Sequence, residues 1–386
     1  MATHILQGTL VLADRLDEHG QVVIEDGRIA GIVTGEPRLA SSVDYSDAFI
    51  APGFIDLHIH GMAGASVMDG TREALEHMAR RMAAQGTTTF LPSTVTESLE
   101  VTRRVIVAIR DYMSSPPEGV SQVAGMHLEG PWISPEYKGM QNEAHILPPD
   151  LETVDQLLVL AAGTVARVSL APERPGADAV IRLLREAQVS VSIAHTAATY
   201  EQVMAAVDLG ATQVTHCFNA MSPFRHRAPG TAGAAMLCDD LYTELIPDGI
   251  HVHPAAMRLL IRTKGRERVM LVTDALAAAE LSDGVYELGG KEVFVRDGAA
   301  RLADGTIASS TLTMDAAARD VVRLCGASIV DAIAMASTTP AEAMGWGGQK
   351  GKLRVGHAAD LVVLDRELHP IATWINGVPV DRSPPP

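Results

Sequence analysis

Between residues 51 and 354, short apolar runs rich in β-branched residues alternate with longer stretches rich in Ala, Leu, Arg and Glu. That alternation predicts repeated strand–helix units around a parallel sheet. Eight runs qualify as strands, in order FIDLHIH, TTTFLPS, QVAGMHLE, RVSLAP, VSVSIAH, ATQVTH, LYTELI and VMLVTD. The helical stretches REALEHMARRMAAQG (72–86) and YEQVMAAVDLG (200–210) close on glycine, as the residue just past a helix often does. Eight strands with intervening helices predict an α/β fold, a (β/α)8 TIM barrel whose functional residues sit at the C-terminal ends of the strands. The flanks differ. GTLVLAD and QVVIEDGRIAGIV near the start, and DLVVLD and ATWINGVPV near the end, are short strands. Asp26-Gly27 and Asn376-Gly377 are type I′ hairpin signals within them. Two such β segments are expected to pair into one small domain, and the final RSPPP has the composition of a disordered tail.

A chain of 386 residues can bury a large core, and its 47% hydrophobic and 20% charged content suits a globular enzyme-sized protein. There is no run of 18 apolar residues and no basic-then-apolar start, so neither a membrane span nor a signal peptide is expected and the location expected is cytoplasmic. Cys217, Cys238 and Cys325 are odd in number, far apart and in no Cys-X-X-Cys pair, which argues against disulfides or a thiolate metal site. The net charge of −16 disfavours nucleic acid and anionic membrane as partners. Any anionic small molecule must therefore meet a local concentration of positive charge.

Chemistry gathers at the strand ends. In DLHIHG, His58 and His60 are two apart and so share one face of a strand. Glu129 closes the third strand, His195 the fifth, His216 the sixth and Asp274 the eighth. Singly, each has an ordinary explanation: a core histidine pair bonded to carbonyls, a helix-capping His195, a solvated Glu129, or Asp274 as N-cap of ALAAAEL. Together, four imidazoles and two carboxylates at one barrel mouth point to a divalent metal. The donor types suit zinc or an iron-type ion, with no thiolate among them.

The segments PGFIDLHIHG, HLEGPW, AHTAATY, THCFNAMSP, DGIHV, VTDA, GTIASSTLTM, TTPAEAMG and GKLRVGHAADLVVLD resemble the amidohydrolase superfamily and, within it, the N-acetylglucosamine-6-phosphate deacetylases. The resemblance runs in consistent order from about residue 50 to residue 365. It implies a metal-dependent (β/α)8 barrel over 51–354, a small β-sandwich from residues 1–50 and 355–386, and a homodimer. It further implies hydrolysis of N-acetylglucosamine 6-phosphate to glucosamine 6-phosphate and acetate. Glu129, His195 and His216 correspond to the core metal ligands, His58 and His60 to a second position, and Asp274 to the catalytic acid and base. One or two ions per chain are expected, zinc first, with iron(II) or another divalent ion as alternatives. Asn219, Ala220, Arg227 and His251 map to sugar-phosphate contacts, some reaching across a dimer interface. Met140 and Asp248 belong with the substrate contacts, and Ile307, Ala308 and Ser309 map to a loop near the acetyl group.

Two features separate this chain from other chemistries of the superfamily. No lysine occurs between Lys138 and Lys264, so the fourth strand cannot supply a metal-bridging carboxylated lysine, and Glu129 takes that role. His195-Thr196-Ala197-Ala198 lacks the glutamate that adenosine-type deaminases carry three residues after this histidine. One position departs from the family: in KGMQNEAH, Gln141 stands where many members have a substrate-touching histidine. An amide can donate a hydrogen bond to a carbonyl but cannot carry charge; His145 is the other candidate there. Two further readings remain at this point: an amidohydrolase acting on another N-acyl amine, and an inactive scaffold on the same barrel, which would be expected to have lost ligands.

Overall fold

Runs that are apolar at nearly every position become parallel strands buried on both faces, as a sheet covered by helices requires. The computed structural model describes residues 3–35, 40 and 43–381; the RSPPP tail lies outside the described residues. Six barrel strands pair in sequence order, all parallel: Met126–Glu129, Val165–Leu170, Ser190–Ile193, Gln213–Val214, Tyr242–Leu245 and Val269–Leu271. The other two, Phe54–Ile59 and Thr87–Pro92, pair with each other. The ring closes on one side through Thr89↔Gln122, Phe90↔Val123 and Ser93↔His127. On the other side Ile59 bridges Ala275, and the Asp274 N–H donates to the His58 carbonyl at 2.8 Å. All eight predicted strands are therefore present, with a helix after each. Thr71, Ser98, Asp150 and Thr199 cap four of those helices by accepting a backbone N–H of the first turn.

The termini share a second sheet. Its order is Val378–Pro379, Pro370–Ile375, Leu361–Leu364, Val43–Pro52, His4–Val11, Leu16–Glu25, Arg28–Val33. One face gathers Leu6, Leu10, Val22, Ile24, Ile29, Ile50, Leu361, Val363 and Trp374 into a core of its own. The alternate residues Phe49, Ala51, Val362 and Leu364 pack into the barrel's core, so the period of two serves two cores at once. The sheet rolls until its hairpin turns meet: a Cβ on Gly27 would lie 3.0 Å from the Asn376 carbonyl oxygen. Both turns have the positive φ that their Asp-Gly and Asn-Gly sequences predict.

An antiparallel four-stranded unit went unread in the sequence: Gly284–Leu288, Lys291–Arg296, Ala299–Arg301 and Ile307–Ser310. It sits between the eighth strand and its helix, and Leu288, Val293, Val295, Ala300 and Ala308 pack with Val95, Met140 and Leu276 at the barrel rim. Its last strand corrects one expectation. Ile307, Ala308 and Ser309 are extended strand laid beside Asp274, not loop.

Candidate metal centre

The alternation along the first strand sends Ile55, Leu57 and Ile59 into the apolar core and Asp56 and His58 into the barrel interior. His60 follows at the mouth, and the two Nε2 atoms come within 3.1 Å of each other. His195 and His216 likewise face each other, Nε2 to Nε2 at 3.2 Å. Glu129 stands between the pairs. Its Oε1 lies 3.1 Å from His216 Nε2, 3.3 Å from His195 Nε2 and 3.5 Å from His58 Nε2, and its Oε2 is 3.4 Å from His60 Nε2. Asp274 Oδ1 is 3.1 Å from His60 and 3.6 Å from His58. The donors form two groups of three, His58 with His60 and Asp274, and Glu129 with His195 and His216. Five of the six are buried, and Asp274 is the most open, with 13% of its side chain exposed. His195, His216 and Asp274 all have positive φ, of 43°, 28° and 48°. A side chain disfavours that conformation, and such strain tends to collect at functional sites.

Three of the four outer ring nitrogens are spoken for, and the fourth, His216 Nδ1, is buried without a hydrogen-bond partner. His58 Nδ1 meets Glu244 Oε2 at 3.1 Å, His60 Nδ1 the Ser93 carbonyl at 3.0 Å, and His195 Nδ1 the Tyr137 carbonyl at 2.9 Å. These partners only accept, so in these three rings Nδ1 carries the proton and Nε2 turns a lone pair inward. Lone pairs converging with two carboxylates need a cation among them, and a divalent metal fits this donor set. The carboxylates also favour positive charge at this point. Burial opposes charge on His58, yet Glu129, Asp274 and Glu244 raise its pKa well above the usual imidazole value. His60 rises against the same burial to about 9, through Asp274 and Glu129. Burial pushes Glu129 the other way, but His58, His195 and His216 hold its carboxyl well below the usual range.

A cavity of about 260 Å³ opens over these groups. Of the predicted substrate residues, Met140, Gln141, Asn219, Ala220, His251, Ile307 and Ala308 line it. Asp248 stands behind, holding His251 by a 2.6 Å bond to Nδ1. Ser309 donates its hydroxyl to the Asp274 carbonyl and so braces the aspartate. Arg227 is exposed and, with Arg225, lines a neighbouring cavity. The Asn219 N–H donates to the His216 carbonyl at 3.0 Å. Gln141 is engaged on both ends: its Nε2 donates to Glu129 Oε2 at 2.8 Å and its Oε1 accepts the Thr96 N–H at 2.7 Å. His145 instead faces Glu97, at 3.4 Å. Residues 275–281 form no helix, so Asp274 caps none.

Sequence reasoning missed the layer beneath. Arg167, Glu244, His127 and Asp56 are fully buried inside the barrel, where branched apolar side chains usually dominate. The available signal was a charge inside an apolar strand, as in RVSLAP and LYTELI.

A closed barrel with six convergent side chains able to ligate metal at its C-terminal mouth has the architecture of a metal-dependent barrel protein. The description "Amidohydrolase family" matches residues 49–383, and the chain belongs to that family. An Escherichia coli N-acetylgalactosamine-6-phosphate deacetylase is 40% identical over 97% of this chain and 98% of its own length. A Bacillus subtilis N-acetylglucosamine-6-phosphate deacetylase is 37% identical over 95% of this chain and 94% of its own. Among solved structures, a mutant N-acetyl-D-glucosamine-6-phosphate deacetylase of Mycobacterium smegmatis, in complex with N-acetyl-D-glucosamine-6-phosphate, superposes with a TM-score of 0.94 at 36% identity, covering 98% of this chain and 100% of its own.

Proposed function

We propose that this protein removes the acetyl group from N-acetylglucosamine 6-phosphate, giving glucosamine 6-phosphate and acetate. The observation that carries the reading is the set of inward imidazole lone pairs around Glu129, with Asp274 beside them at the cavity. Glu129, His195 and His216 would hold one divalent ion, and His58 and His60, next to Asp274, a second. Zinc is the first candidate, with iron(II) or another divalent ion as alternatives. When bound, such an ion supplies acidified water and a positive charge for the amide oxygen. Asp274 takes a proton from the attacking water and passes it to the departing sugar nitrogen, which otherwise leaves as an amide anion. General acid–base catalysis of this kind contributes roughly 10²–10⁴-fold. Gln141 steadies Glu129, while Met140, Ile307 and Ala308 offer an apolar wall for the acetyl methyl. Asn219, Ala220 and His251 serve the sugar phosphate, His251 being aimed by Asp248. Arg227 lies outside the cavity of one chain, which supports a homodimer in which it reaches the partner's site. Three free cysteines, two of them buried, support a cytoplasmic location.

A second reading has its own support, since a relative at 40% identity is a deacetylase of the galactosamine epimer. Acetate release from the two phosphorylated epimers and from unphosphorylated N-acetylglucosamine tests both. The expected order of kcat/KM places N-acetylglucosamine 6-phosphate first. Preference for the galactosamine epimer transfers the assignment to the second reading, and equal turnover of the unphosphorylated sugar removes the phosphate from it.

A further inference from the structure

Below the metal centre lies an ion pair that the reaction itself does not use. Glu244 and Arg167 come from the seventh and fourth barrel strands, and both are wholly buried. One Glu244 oxygen, Oε1, accepts from the Arg167 guanidinium. The other, Oε2, accepts twice, from His58 Nδ1 at 3.1 Å and from the His216 N–H at 2.9 Å. Arg167 is fixed in turn by Ser192 Oγ at 2.8 Å and Thr215 Oγ1 at 3.2 Å.

We propose that Glu244 is a positioning residue: it holds His58 in the Nδ1–H tautomer, so that Nε2 offers its lone pair to the second metal position, and Arg167 fixes the orientation of Glu244. The inference rests on the two-ion reading above. It follows from donors and acceptors. Three donors converge on this carboxylate, and two of them cannot change: the guanidinium stays protonated and a backbone N–H only donates. His58 is the one that can switch. As long as both carboxylate oxygens accept, His58 has no reason to switch. An amide in place of the carboxylate has a single accepting oxygen, and the buried guanidinium claims it, because the bond to a charged donor is the stronger one. The amide NH₂ then points at His58, whose Nδ1 must become the acceptor. The ring proton moves to Nε2, and the lone pair that would bind metal is gone. Groups that orient metal-binding imidazoles in this way typically change metal affinity by about 10- to 100-fold.

The test is titration of chelator-stripped protein with zinc, followed by calorimetry and elemental analysis. The parent protein is expected to take up two ions. Glu244→Gln should weaken the second by about 10- to 100-fold and the first less, because Glu244 meets His216 only at its backbone N–H and not at the ring. Two double variants keep the question answerable if Glu244→Gln alone fails to fold, since both remove the buried charges together. Glu244→Gln with Arg167→Met frees the amide oxygen to turn to His58, and the second ion should return. Glu244→Leu with Arg167→Met offers no acceptor, and the second ion should stay weak. A merely structural role predicts that the two doubles behave alike. Equal second-ion affinity in both, or an unchanged second ion in Glu244→Gln, overturns the inference while the two-ion reading stands. A parent protein that saturates at one ion overturns the two-ion reading and the inference with it.

Discussion

Glu129 and His195 are steadied from above the barrel mouth, whereas His58, His60 and Asp274 are steadied from the barrel interior and along its closing seam, and His216 has its backbone N–H on the interior Glu244. In the first group, Gln141 and the Tyr137 carbonyl, both on the segment after the third strand, hold Glu129 and His195. In the second, His58 leans on buried Glu244, His60 on the Ser93 carbonyl, and Asp274 on the strand Ile307–Ser310. The difference teaches that one centre has two largely separate supports, which meet at Glu244 through the His216 N–H. Changes above the mouth should reach chiefly the first ion, and changes in the interior chiefly the second.

The largest expected effect is also the bluntest test of the comparison. Chelation should bring activity to the assay background and a divalent salt should restore it, while His58→Ala with His60→Ala should lose one ion per chain and keep the other. Turnover by demonstrably metal-free protein would break the scheme, and unchanged metal content in the double variant would make DLHIHG structural. Next, Asp274→Asn keeps the shape of the second group without a carboxylate to take the proton. It should lower kcat by roughly 10²–10⁴-fold with metal content intact, and a rate within a few-fold of the parent would assign proton transfer elsewhere. Arg227→Ala belongs to neither support. Loss of a charge-assisted bond, about 1.5–3 kcal/mol, should lower kcat/KM for the phosphorylated sugar by roughly 10- to 150-fold and hardly alter the unphosphorylated one. Equal loss on both would exclude a phosphate contact. The smallest change is the sharpest. Gln141→Ala removes one bond to Glu129, and about 1.5 kcal/mol corresponds to about tenfold weaker binding of the first ion. Equal weakening of the second ion would show that the supports are not separate.

All eight barrel strands and both hairpin turns were legible because they rest on local rules: apolar runs bounded by caps, and Asp-Gly or Asn-Gly where φ must be positive. The six convergent residues were legible for a related reason, since a parallel barrel gathers every strand's C-terminal end at one mouth. Residues 284–310 were not. Their strands are short and half exposed, as in KEVFVR with its pattern of buried and exposed positions, and such a pattern says nothing of where the sheet will dock. The residues proposed to meet the phosphate divide along the same line. His251 needed only its neighbour Asp248 to aim it, whereas Arg227 stands on an exposed turn outside the cavity.

What this sequence determined by itself was the kind of structure and the kind of donor: strand periodicity, helix caps, turn conformations, and imidazole and carboxylate at strand ends. Each depends on residues close together along the chain. Only the tertiary structure decided which donors pair across the mouth, that Gln141 clamps Glu129, and that a buried Arg167–Glu244 pair underlies His58. Those contacts join residues 12 to 186 positions apart. Their partners are chosen by how eight strands close into a ring, a condition that no single segment contains.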